Sequence, residues 1–291
     1  MNGMLKQLIN FIIHLRLHYQ FFILSGGYLL AGLFVEDINW GQFGLQFLNV
    51  HVLLFGGATA YNSWWDKDEG PIGGLISPPK MDRWMWPVSM GMQYIGLAWA
   101  ITIGWNYTII YSISMLLFWL YSTPLARWKG KPVLSLVAIG GSTGTNSFFL
   151  GFLAAGGYPI TFLEDAIALG VALILLSLYP VSQVFQTDED ERRGDKTFAV
   201  VFGLKGVKEL FTILFPLGSA LLGWGLFLHS TTLGFLFTGV NIMAYIGLSY
   251  FVWKLEGKSE EYPLVMKIKF MASLSFVLFI CTALAYQALM M

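Results

Sequence analysis

The stretch Ala166-Ile-Ala-Leu-Gly-Val-Ala-Leu-Ile-Leu-Leu-Ser-Leu-Tyr-Pro-Val-Ser-Gln-Val-Phe-Gln-Thr187 holds no Asp, Glu, Lys or Arg, and the chain then passes at once into Asp188-Glu-Asp-Glu-Arg-Arg-Gly-Asp-Lys-Thr197. An α-helix needs about 20 apolar residues to cross the hydrocarbon of a bilayer. The run therefore reads as a transmembrane helix that ends at a charged membrane face. Six further charge-free runs follow the same pattern, at 17–35, 38–65, 84–126, 132–163, 210–253 and 270–291. Those at 84–126 and 210–253 are long enough for two crossings each, with polar breaks at Asn106 and at His229-Ser-Thr231. The expectation is an all-α membrane protein with about nine transmembrane helices in a bundle. Composition agrees, since 56% of the 291 residues are hydrophobic and 12% are charged, about half the roughly 25% charge of a soluble domain.

The basic residues test this count. With about nine spans and a cytoplasmic N-terminus, all 17 Lys and Arg fall in the N-terminal segment or in the loops 66–83, 122–132, 186–209 and 254–269. The opposite loops carry Glu36, Asp37, Glu164 and Asp165 and no basic residue. Such asymmetry is the positive-inside pattern. Residues 1–291 are thus expected to form a single multi-pass integral-membrane domain of the cell membrane, with its polar chemistry on the cytoplasmic side. Met1–Leu17 lacks a short apolar core followed by a small-residue cleavage site, so it reads as a retained end and not a signal peptide. A net charge of +0 gives no reason to expect a nucleic-acid partner. The single cysteine, Cys281, cannot form an intrachain disulfide.

Two of the basic loops, 62–83 and 186–209, are also densely acidic, which topology alone does not require. The first opens as Asn62-Ser-Trp-Trp-Asp66-Lys-Asp68-Glu69-Gly70; the second as Gln186-Thr-Asp188-Glu-Asp190-Glu-Arg-Arg-Gly194. Both place a side-chain amide, a carboxylate four residues on and a glycine four after that. The shared skeleton suggests two related four-helix halves plus one further helix. Residues at i and i+4 share a helix face, so each half would offer an amide oxygen and a carboxylate together. Two such faces opposed would suit a hard, oxygen-seeking cation such as Mg²⁺, completed by water and substrate phosphate. His14 and His51 have no Cys or His at ligand spacing, which argues against zinc. The glycines of Ile139-Gly-Gly-Ser-Thr-Gly144 lack the Gly-Lys-Ser/Thr ending of a phosphate loop and lie within a span.

These residues resemble the UbiA-type intramembrane prenyltransferases, nine-helix proteins with an Asn-Asp-x-x-Asp-x-x-x-Asp motif after the second helix and an Asp-x-x-x-Asp-x-x-x-Gly motif after the sixth. Asn62 and Asp66 match the first motif; Asp190, Gly194, Lys196, Thr197 and Gly203 match the second and its sequel. Tyr121-Ser122-Thr-Pro124-Leu-Ala-Arg127-Trp-Lys129 is similar to the family's Tyr-Ser-x-Pro-x-x-Arg-x-Lys segment. The sequence departs at Ser63, Gly70 and Gln186, where the family carries Asp. Asp68 and Glu69, and Asp188 and Glu189, stand beside the missing carboxylates.

The resemblance implies Mg²⁺-assisted ionisation of a prenyl diphosphate, with transfer of the prenyl group to a lipophilic acceptor, an aromatic or quinone precursor. It implies catalytic Asp66 and Asp190, and metal ligands among Asn62, Asp66, Asp68, Glu69, Gln186 and Asp190. Diphosphate contacts would come from Arg127, Lys129, Arg193 and Lys196, with Lys80 and Arg83 as second choices. Arg16 and His18, at the start of the first span, would face the acceptor. Membrane lipid is the remaining partner. Two alternatives stay open on the residues: a membrane terpene cyclase that needs no acceptor, and a non-catalytic protein or transporter. Transport fits less well, because secondary transporters place polar groups at mid-membrane and the ionisable residues here avoid the span interiors.

Overall fold

The computed structural model describes residues 3–67 and 70–290, and among them the regular secondary structure is helical, with a single isolated β-bridge between Ile72 and Leu75. Asp68 and Glu69, both expected metal ligands, lie outside the described residues. The chain opens with α1 (Gly3–His14), α2 (Leu17–Phe22) and α3 (Gly26–Gly32). Next comes one continuous rod, α4 (Trp40–Leu48) passing through π-helical Asn49–Gly56 into α5 (Gly57–Asp66). Helices α6 (Met85–Ile101) and α7 (Trp105–Ser122) precede a second such rod, α8 (Pro132–Ile139), π-helical Gly140–Thr145 and α9 (Asn146–Ala155). Then come α10 (Phe162–Leu178), 3₁₀-helical Pro180–Gln186, α11 (Thr187–Arg193), α12 (Phe198–His229), α13 (Thr231–Lys254) and α14 (Tyr262–Met290).

Six of these helical stretches are long and apolar enough to cross a membrane, or seven if the segments 3–22 and 26–32, bent by 46°, count as one broken span. The first expected span is this broken one, its bend falling at the non-helical residues 23–25 between α2 and α3. The third and fourth expected spans are α6 and α7, of 17 and 18 residues, which are short and rich in Trp, Tyr and Ser. The outer surface explains the composition: Ile95, Trp105, Leu116, Ile213, Leu236 and Met243 are all exposed. In water such an apolar exterior would be an aggregation surface, whereas in lipid it is the solvated face.

Because lipid tails give helices no hydrophobic reason to associate, close packing and interhelical hydrogen bonds must do so. Buried Asn49 donates to Gln46 Oε1 (2.8 Å) and to the Gly96 carbonyl (3.1 Å), and Tyr111 donates to Asn49 Oδ1 (3.2 Å), so α4, α6 and α7 are tied together. At the far end from the basic loops, Thr161 and Glu164 form a capping box on α10. That accounts for Glu164 as a helix start. Helix α9 crosses α3 so closely that a Cβ on Gly151 would stand 2.2 Å from the Tyr28 carbonyl oxygen. Backbone cannot yield that much, so Gly151→Ala is expected to destabilise the protein by about 1–3 kcal/mol or more. Thermal denaturation in detergent checks this against Gly239→Ala, where nothing lies within 4 Å and no overpacking should appear.

Candidate active site

Three of the four basic loops converge at one end of the bundle. Helix α5 brings Asp66 to its last turn and stops there, because Lys67 takes a left-handed conformation and caps on the Ser63 carbonyl. The segment after α7 is pinned to α5: Asn62 Nδ2 donates to Ser122 Oγ (3.1 Å), and the Tyr61 and Thr123 hydroxyls are 2.8 Å apart. Pro124 follows, and the chain turns through Arg127, again left-handed, to present Lys129 inward. Helix α11 supplies the second motif. Its first turn holds Asp188, Glu189 and Asp190 and its last turn Arg192 and Arg193, the polarity that a helix dipole favours.

Buried ion pairs hold these loops together. Lys129 Nζ lies 2.7 Å from Asp66 Oδ1 and 3.8 Å from Asp195 Oδ2. Arg127 grips Asp195 with two hydrogen bonds of 2.7 Å and reaches to 3.8 Å from Asp66. The side chains of Asp66 and Asp195 are 5% and 3% exposed, so each depends on these cations for its charge to be tolerated. Hydrogen bonding to Asp195 raises the Arg127 guanidinium further above its already high ordinary value, against the opposing effect of burial. Gly130 makes the approach possible, since a Cβ there would meet Asp195 Oδ1 at 2.7 Å. Arg16, Lys67 and Arg127 are the only non-glycine residues with positive φ among those described. Each costs on the order of 1 kcal/mol, and all three border this site.

Beneath the ion pairs lies a cavity of about 300 Å³. Its polar end is lined by Asn62, Asp66, Lys129, Gln186, Glu189, Asp190 and Arg193, and its depth by Phe55, Phe118, Ile174, Phe215, Ala244 and Phe279. Tyr121 and Tyr179, with hydroxyls 3.0 Å apart, stand in its wall. Phe55 and Thr143 come from the two π-helical segments, whose local widening is frequent at functional sites.

The expected residues distribute unevenly over this geometry. Asp66 and Asp190 share the one cavity, as do Asn62, Gln186, Lys129, Arg193 and Arg16. Arg127 stands outside the wall, bonded to Asp195 and 3.8 Å from Asp66. Lys80 and Lys196 are exposed and off the wall, and Arg83 is exposed as well. His18 is exposed, with Nε2 3.0 Å from the Gly74 carbonyl. Arg16 is buried and donates to Ser63 Oγ at 2.8 Å. Gln186 closes the 3₁₀ segment begun by Pro180 and caps α11 with non-helical backbone, so it does not share a regular helical turn with Asp190, and its Nε2 donates to the Pro71 carbonyl (2.8 Å). Asp195, buried in the ion pairs, and Lys269, in the cavity wall, are charged residues that the motifs did not single out.

The donor set at the polar end is carboxylate and amide oxygen, which suits a hard cation. Asn62 and Gln186 both use their amide nitrogens on protein partners, which leaves their carbonyl oxygens as acceptors. No group of three or more His, Cys, Asp or Glu is close enough to hold a metal alone among the described residues. An ion here would need amide, water or substrate oxygens, the usual habit of Mg²⁺.

No curated protein matches the sequence. The fold is similar to that of a UbiA homolog from Archaeoglobus fulgidus bound to GPP and Mg²⁺, with TM-score 0.73 and 16% identity over 95% of this chain and 99% of that one. A UbiA homolog from Aeropyrum pernix K1 gives 0.65 and 15% over 91% and 98%. A digeranylgeranylglyceryl phosphate synthase gives 0.66 and 19% over 96% and 99%. These likenesses speak for the fold. The sequence model of the UbiA prenyltransferase family matches residues 21–274, and with nearly the whole chain inside that match, the protein belongs to the UbiA prenyltransferase family.

Proposed function

We propose that the chain is a Mg²⁺-dependent intramembrane prenyltransferase that ionises a prenyl diphosphate and passes the prenyl group to a lipophilic acceptor, an aromatic or quinone precursor. Its site would open on the cytoplasmic side of the cell membrane. The observation that carries the reading is one cavity whose charged end, with Asp66, Lys129, Asp190 and Arg193, continues into an apolar depth. A prenyl diphosphate has the same division between a multiply charged head and a hydrocarbon tail. The A. fulgidus relatives were solved with prenyl diphosphates and Mg²⁺.

Asp66 and Asp190 would hold the ion, with oxygens from Asn62, Gln186 and Glu189 and, outside the described residues, Asp68 and Glu69. When bound, Mg²⁺ supplies positive charge to the departing diphosphate. Lys129 and Arg193 add fixed positive charge at the same end, where low dielectric strengthens it. The C1–O bond breaks with its electron pair on the diphosphate, leaving an allylic cation. Tyr121, Tyr179 and Phe118 line the cavity and would offer that cation aromatic surface, which favours positive charge and excludes water. The acceptor's nucleophilic atom then bonds to C1 and gives up its proton to water at the mouth.

Purified protein in liposomes, given geranyl diphosphate and Mg²⁺, should release diphosphate only when an acceptor is added. Chelation with EDTA should bring release to background, and Mg²⁺ should restore it. Release with EDTA present equal to that with Mg²⁺ would remove the metal from the reading. A hydrocarbon product formed without acceptor would replace transfer by cyclisation.

A further inference from the structure

Lys269 on α14 lines the cavity, is 7% exposed, and meets no carboxylate among the described residues. Its Nζ donates to the Tyr19 hydroxyl. Lys129 has Asp66 as a carboxylate partner at 2.7 Å, and Arg193 has Glu189 at 2.5 Å. A buried ammonium with only a neutral oxygen partner is costly. Such a group is tolerated where an anion arrives with the ligand. Tyr19 itself is held to the charged region by its backbone, whose N–H donates to the Arg16 carbonyl at 2.8 Å. Arg16, 8% exposed, lines the same wall one turn before Tyr19. The two cations come from the first helices and the last, while the Asp66, Lys129 and Asp190 cluster comes from α5, α11 and the loop after α7.

We propose that Lys269, oriented by Tyr19 and joined by Arg16, is a second anion station in the cavity, one that binds a carboxylate or phosphate group on the acceptor and not the prenyl diphosphate. This rests on the prenyltransferase reading, and it places the acceptor's charged head toward α2 and α14 with its reactive atom facing the polar end. The chemistry recognised is an amphiphile with an anionic head. A neutral hydroxylated lipid would leave Lys269 as it is found here.

Equilibrium dialysis of the detergent-purified full chain with 2-naphthoate, 2-naphthyl phosphate and neutral methyl 2-naphthoate tests this without turnover. The wild type should bind at least one of the anions about tenfold or more tightly than the ester, as a charge-assisted contact predicts. Lys269→Met should reduce that preference to about twofold or less, whereas Lys269→Arg should retain it. Lys269→Gln, which keeps a donor for Tyr19 without the charge, repeats the test if the methionine variant fails to fold. Mg²⁺-dependent binding of geranyl diphosphate is measured in parallel and should be unchanged in each variant. No anion preference in the wild type, or a preference that survives loss of the charge, overturns the station. Loss of geranyl diphosphate binding in Lys269→Gln overturns it too, by assigning the lysine to the diphosphate. Absence of geranyl diphosphate binding in the wild type instead counts against the prenyltransferase reading, and the naphthyl series still reports on Lys269.

Discussion

Asp66→Ala and Asp190→Ala are each expected to reduce diphosphate release by about 10³-fold or more, since in the proposed reaction each removes charge that would hold the metal against the departing group. The two carboxylates share one cavity, so they should act as a unit, and the double variant should be no slower than the slower single one. Asp66→Ala also strips Lys129, whose side chain is 10% exposed, of its 2.7 Å partner. Asp195 Oδ2, 3.8 Å away, is then its remaining carboxylate, and a buried charge that has lost its close partner is destabilising, so loss of activity alone would be ambiguous. Adding Lys129→Met to Asp66→Ala removes the stranded charge and should recover stability without recovering turnover. If the single variants turn over at wild-type rate in folded protein, neither carboxylate takes part in the chemistry.

How far the sequence leads depends on whether the chemistry is carried by spacing or by a bend. Asn62 and Asp66 sit four apart on the regular helix α5, and both line the cavity. The second motif has the same spacing, yet Pro180 turns the chain through a 3₁₀ segment and leaves Gln186 with non-helical backbone at the start of α11. Helical periodicity therefore describes only one of the two pairs. Basic residues were legible as a group because the positive-inside pattern concentrates them, but the pattern is blind to depth. It assigns Lys80 and Lys129 to the same membrane face, whereas one is exposed and the other buried against Asp66. Lys269 lay beyond reach for another reason: its surroundings come from Tyr19, 250 positions away. The left-handed Arg16 separates α1 from α2, and nothing in an Arg-Leu-His sequence announces positive φ.

Asp195 is the residue whose loss should be felt most in stability. It sits in Arg192-Arg193-Gly194-Asp195-Lys196-Thr197, where sequence alone makes it one more charge in a charged loop. In the fold it is 3% exposed and accepts two 2.7 Å bonds from Arg127, with Lys129 at 3.8 Å. Asp195→Asn keeps the shape but turns an acceptor into a donor facing a guanidinium that can only donate. Because Arg127 is 29% exposed, water can recover part of the penalty. The expected cost is therefore about 3 kcal/mol, the low end for breaking a buried pair. Arg127→Gln should cost less, and the double variant should fall well short of the sum, with a coupling of about 1 kcal/mol or more between the partners. Catalysis should suffer beyond stability, since Arg127 and Lys129, freed from Asp195, would both settle on Asp66 and oppose any second cation there. Chemical denaturation in detergent measures the first effect, and the Mg²⁺ concentration needed for half-maximal release measures the second, which should rise. Additive losses in the double variant, or an unchanged Mg²⁺ requirement in folded Asp195→Asn, would show that this pair only fastens two loops and leaves the neighbouring carboxylates as they were.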